Sequence, residues 1–130
     1  MLLLEFLESQ NTPENREAFV WFAKDFKAKT YKEYKTKYPE NSPGFNSMNQ
    51  ILSGFETAGV LVSHGLLNEN LYFDVSGIGF LWPRLEPIVL GAQKEADPSL
   101  WENVIWLANR QKWWKKHVWK PNGKWKQKLP

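Results

Sequence analysis

The chain has 130 residues, 42% of them hydrophobic and 24% charged, with no cysteine. That length suits one domain with its own core, and the missing cysteine excludes disulfides and thiolate metal sites. The net charge of +3 hides an uneven split: residues 101–130 carry Arg110 and seven lysines against Glu102 alone, and the first hundred residues carry the remaining nine basic groups against thirteen acidic ones. An acidic body thus precedes a basic end, which bears on association and not on fold.

No stretch approaches the ~18 apolar residues of a membrane-spanning helix. The opening MLLLEFLESQ is too short and too acidic for a secretory signal, which needs a basic start and a longer apolar run. These features read as a cytoplasmic protein.

In chain order, Leu2, Leu3, Leu4, Phe6 and Leu7 predict a short apolar helix that needs a partner. Thr12-Pro13-Glu14 is a helix start: a hydroxyl cap, proline at the first helical position and acid at the positive end. From Pro13 the pattern predicts one helix to about Tyr38, with Phe19, Phe22, Ala23 and Phe26 inward and Tyr31, Tyr34 and Tyr38 drifting round the axis. Six lysines between Lys24 and Lys37 mark an exposed face, and Pro39 with Asn41–Gly44 ends the helix.

The next helix has the clearest pattern. Met48, Ile51, Leu52, Phe55, Ala58, Gly59 and Val62 fall on one face at helical spacing. Gly65 is a natural stop, and Asn68 caps a short helix through Phe73. Ile78, Leu81, Trp82, Leu85, Ile88, Val89 and Ala92 resume helical spacing, but Pro83 and Pro87 predict a kink or break near Trp82 before a helix to about Glu95. Asp97-Pro98 predicts the start of a last helix to Val118, with Leu100, Val104, Leu107, Gln111, Trp114 and Val118 inward. No strand alternation appears, nor any repeat. The class is all-α: a bundle of about five helices, two of them short, forming one domain over residues 1–119, with a basic, flexible tail at 120–130.

The stretch GFETAGVLVSHGLL, Gly54 to Leu67, followed by NENLYFD, WPRLEPI and LWENVIWLANR, resembles a bacterial family of uncharacterised helical proteins. Its marks are an F-E-x-x-G-x-L-V helix and a W-x-R-L-x-P-I segment, matched here over roughly residues 46 to 110. Many members of that family carry an N-terminal transmembrane segment, which this sequence does not show. The resemblance implies a helical fold and carries no activity with it.

Glu56 stands out among the charges, flanked on the helical wheel by apolar Leu52 and Val60. A carboxylate there needs a partner, and Arg84 and Arg110, both near tryptophans, are the candidates to supply one. Such a cluster is an ion pair that fixes helix register or a polar pocket. His64 points away from the apolar stripe and His117 lies in the basic end; two histidines without cysteine or clustered carboxylates predict no metal site. Ser53, Ser63, Asp74 and Glu86 form no recognisable catalytic set, and Gly77-Ile78-Gly79 lacks the rest of a phosphate loop. The sequence therefore predicts a non-enzymatic protein without cofactor or small-molecule ligand.

The basic end offers the main functional lead. Trp106 and Trp113 fall opposite Val104, on the back of the last helix, and call for a second cover. With Lys112, Lys116, Trp119 and Trp125 they form a candidate interaction surface. The leading expectation is a helical interaction module with a protein partner, self-associating through this helix as a homodimer. The alternative is a peripheral binder of anionic membrane or nucleic acid, with lysines on phosphates and tryptophans at the interface or stacked on bases.

Overall fold

The computed structural model describes residues 2–128. Among them are seven α-helices and a closing 3-10 segment, with no strand: α1 Leu2–Gln10, α2 Pro13–Lys24, α3 Tyr31–Lys37, α4 Pro43–Ser63, α5 Glu69–Val75, α6 Ile78–Glu95 and α7 Glu102–His117, then Pro121–Lys128. The all-α class holds, and the helices outnumber the five expected.

The central helix α4 packs against α2 on one side and α7 on the other, and α6 lies against α7 and α3. Its expected stripe is buried throughout, from Met48 through Ile51, Leu52, Phe55, Ala58 and Gly59 to Val62. The caps expected at Thr12 and Asn68 formed. The Thr12 and Asn68 side chains accept from Asn15 N and Leu71 N, each at 3.1 Å, and Gly65 takes the left-handed conformation at φ 72°.

The expected Pro13–Tyr38 helix is two helices. Phe26 leaves the helical path and turns inward, stacking on Phe22 at 5.0 Å. The carbonyls this exposes find a donor from far along the chain: Arg84 Nη2 donates to Phe22 O at 3.1 Å and Phe26 O at 2.8 Å. Thr30 then caps α3, and the Tyr38 hydroxyl braces the loop, accepting from Lys27 N and donating to Asp25 O. Ala23, expected inward, is exposed, and Ala18 is buried instead.

Two further expectations fail. Helix α6 runs without a break through Pro83 and Pro87: each proline deletes one backbone donor, but burial of Ile78, Trp82, Leu85, Ile88, Val89 and Ala92 outweighs that loss. Helix α7 begins at Glu102, not Pro98. Asp97 spends its carboxylate on Ser99, accepting from N at 2.8 Å and Oγ at 2.7 Å, and Trp101 enters the helix left-handed at φ 58°.

The segment read as a flexible tail folds back over Pro121–Lys128. Trp125 is only 5% exposed and meets Trp114 edge-on at 5.0 Å, while Lys126 pairs with Asp74 at 2.6 Å. An indole buries so much apolar area that one tryptophan at a suitable distance overrides the polar composition around it.

Candidate functional site

Glu56, Arg84 and Arg110 do not meet. Glu56 reaches from α4 to the start of α7, where Oε1 accepts from Asn103 N at 3.0 Å and Val104 N at 3.1 Å, and Oε2 accepts from Asn103 Nδ2 at 2.8 Å. The left-handed Trp101 at the cap position has no side-chain oxygen to offer. Glu56 supplies it from another helix, placing negative charge on the positive helix end. Arg84 serves the carbonyls that end α2, as above. Arg110 forms a two-pronged pair with Glu69 of α5, at 2.8 and 2.9 Å, which holds its guanidinium above its ordinary pKa. All three residues are structural ties between helices.

The back of α7 is as open as expected. Trp106 is 37% exposed and Trp113 41%. Trp113 is partly covered by its own helix: the Arg110 guanidinium sits 3.9 Å from its ring centre and the His117 ring 5.1 Å away. Lys112 and Lys116 are exposed, and Trp119 is half-buried beneath Lys115. Trp125 does not belong to this surface; it is core.

The two lysine-rich stretches do not merge. Gly79 of α6 abuts Gln111 of α7, whereas Gly91 abuts Tyr31 of α3. These contacts lie about 18 Å apart along α6 at the usual helical rise. The Lys24–Lys37 stretch faces α6 from Pro83 to Gly91, whereas α7 meets α6 nearer its start, at Gly79.

A different surface was missed. Between α1, α2, α4 and the α5–α6 corner lies a cleft of about 410 Å³, walled by Phe6, Phe19, Phe55 and Tyr72 and rimmed by Leu7, Val75 and Phe80. Burial raises the Tyr72 hydroxyl to a pKa of about 12, against a smaller lowering by its hydrogen bond to Ser76, so it stays neutral. None of the lining residues is charged. Phe80 is 89% exposed and Val75 58%. Phe80 was visible in the sequence as an aromatic well off the Ile78–Leu81–Trp82–Leu85 stripe; the cleft was not, because five separate helices make it.

A family model described as a domain of unknown function, DUF4760, matches residues 1–113. No curated protein and no solved structure matches the chain. The segment that carries Trp125 lies outside the matched region.

Proposed function

The chain belongs to that family of unknown function, and we propose that it is a non-enzymatic helical interaction module that associates with a second copy of itself through the uncharged cleft face. The observation that carries this reading is Phe80: a phenyl ring 89% exposed at the rim of an apolar cleft. Knob and hole lie on the same face, so a two-fold axis seats each Phe80 in the other copy's cleft, the self-complementary arrangement of an isologous dimer. A lining without charge lets two identical faces approach without repulsion. The back of α7 supports self-association less well. A two-fold contact there opposes Lys116 and the neighbouring basic groups of both copies, and like charges facing each other cost energy.

The test is mass by light scattering across protein concentration, at low and high salt. Dimer that persists in salt, is lost in Phe80→Ser and is kept in Trp113→Ala supports the reading. A monomer throughout, or loss only in the Trp113 variant, overturns it.

A second reading, peripheral attachment to anionic membrane, is favoured by exposed Lys112 and Lys116 on the same helix as the open Trp113 ring. Binding to phosphatidylserine vesicles that falls with salt and with Lys112→Glu/Lys116→Glu supports it. Deleting residues 120–130 is the wrong test, because it strips Trp125 from the core.

A further inference from the structure

A second hollow, of about 520 Å³, lies where the loop after α2 and the helix α3 face α6. Its floor is apolar. Phe26 is 3% exposed, and Pro83 and Pro87, one turn apart on α6, present their rings to it. Four cations stand round this floor, Lys27, Lys29, Lys37 and Arg84, against a single carboxylate, Glu33. The first hundred residues are acidic in total, so this is a local concentration of positive charge set against the character of the body.

Two of the four cations are held in place. The Arg84 guanidinium is fixed by its two bonds to the end of α2 and by the Phe22 ring 4.4 Å below it. Only Nη2 is used in those bonds, which leaves Nε and Nη1 without a protein acceptor among the described residues. Lys37 Nζ donates to Lys27 O at 2.7 Å, which keeps its ammonium at the rim. The ion pairs among the described residues join Lys35 to Glu95, Arg110 to Glu69 and Lys126 to Asp74, and none takes up a cation of this hollow. Four positive groups gathered round one concavity repel one another, and an anion relieves that repulsion while a guanidinium fork and ammonium points complete its hydrogen bonds.

We propose that this hollow binds a small molecule bearing a phosphate-class anion, with an apolar or aromatic portion laid on Pro83 and Pro87, above the buried Phe26. The charge excess suits a dianion better than a single carboxylate, for which Arg84 alone suffices. The floor suits a flat apolar group, the common build of small-molecule sites in which a few polar groups orient a largely apolar ligand. This departs from the sequence expectation of no small-molecule ligand, and it is independent of the dimer reading, whose cleft is a separate site.

The experiment is titration of the intact protein with inorganic phosphate and with phenyl phosphate at low salt, followed by calorimetry and by amide shifts. The expected result is saturable one-site binding, tighter for phenyl phosphate, with shifts at Lys27–Thr30, Lys37 and Arg84. Affinity drops at least tenfold in Lys27→Glu/Lys29→Glu and is unchanged in Lys94→Glu/Lys124→Glu. Both pairs are exposed, so both variants keep the fold, which their circular dichroism verifies. No saturable binding, equal loss in both variants, or shifts spread over every lysine overturns the site. Equal affinity for the two phosphates overturns the role of the apolar floor.

Discussion

The Glu56 carboxylate on α4 holds Asn103 on α7 by both its backbone N–H and its side-chain amide. This contact joins the two helices that pack most extensively on each other. It also does the work of a helix cap for α7, whose own cap residue has no oxygen to give. Glu56→Ala leaves two backbone donors without acceptors in a half-buried place. Charge-assisted hydrogen bonds and caps of this kind contribute about 1–3 kcal/mol, and thermal unfolding should show a loss in that range. Glu56→Gln should recover part of it, since an amide oxygen still accepts but lacks the charge.

Three residues further along α4, Gly59 lets that crossing happen. A Cβ on Gly59 would run into the Asn103 carbonyl, so the backbones of α4 and α7 meet where no side chain intervenes. Gly59→Ala should therefore destabilise by about 1–3 kcal/mol, the usual cost of overfilling a packed interior, although alanine favours helix. A double variant with Glu56→Ala should lose less than the sum, because both substitutions disturb one contact. Denaturant unfolding of the four proteins in that cycle measures the coupling.

These contacts show what the sequence makes legible and what it hides. The stripe from Met48 to Val62 and the caps at Thr12 and Asn68 depend on residues a few positions apart, and periodicity exposes them. Glu56 was legible as a carboxylate in need of a partner. Its partner was not, since a search among cations overlooks backbone amides at the start of another helix. The end of α2 was hidden for a similar reason: its carbonyls are satisfied by Arg84, about sixty residues away, so no local stop signal was required. Trp125 was hidden by its lysine-rich neighbours, and the cleft by its origin in five helices. The candidate surface on α7 was legible as a face, because its open tryptophans depend only on their phase relative to Val104.

Arg84 gives a third prediction. Arg84→Met keeps an apolar stem over Phe22 but removes the donor to Phe22 O and Phe26 O. The end of α2 should fray, with a loss of about 1–3 kcal/mol for acceptors left without partners. Limited proteolysis should then cut first in the Asp25–Thr30 loop, ahead of any site elsewhere. Uniform cutting would show that the loop is held by the Tyr38 hydroxyl instead.

Trp125 gives a fourth. Truncation after Lys120 removes an indole packed on Trp114 and the Lys126–Asp74 pair. Replacing a buried tryptophan by nothing costs about 3–5 kcal/mol, most of it apolar, since half-exposed ion pairs contribute little. The melting temperature should fall well below that of Lys126→Ala, whose loss should be near zero. A truncated protein as stable as the full chain would show that the region matched by the family model is self-sufficient.

The last prediction concerns alkaline pH. Burial raises Tyr34 and Tyr72 each to a pKa of about 12, with the neighbouring Tyr31 adding to the rise at Tyr34. In the unfolded chain both phenols titrate near 10. Between those values the unfolded state has released protons that the folded state still holds, so unfolding is favoured as pH rises. Stability from these groups is fully present below pH 10 and is lost between 10 and 12, with a slope of up to roughly 1.4 kcal/mol per pH unit for each phenol. Tyr72→Phe should flatten that slope, and it should keep the packing against Phe6 and Phe73. Urea unfolding at pH 9, 10 and 11, read alongside phenolate absorbance, gives both quantities. An unchanged slope in Tyr72→Phe would place its hydroxyl in contact with solvent.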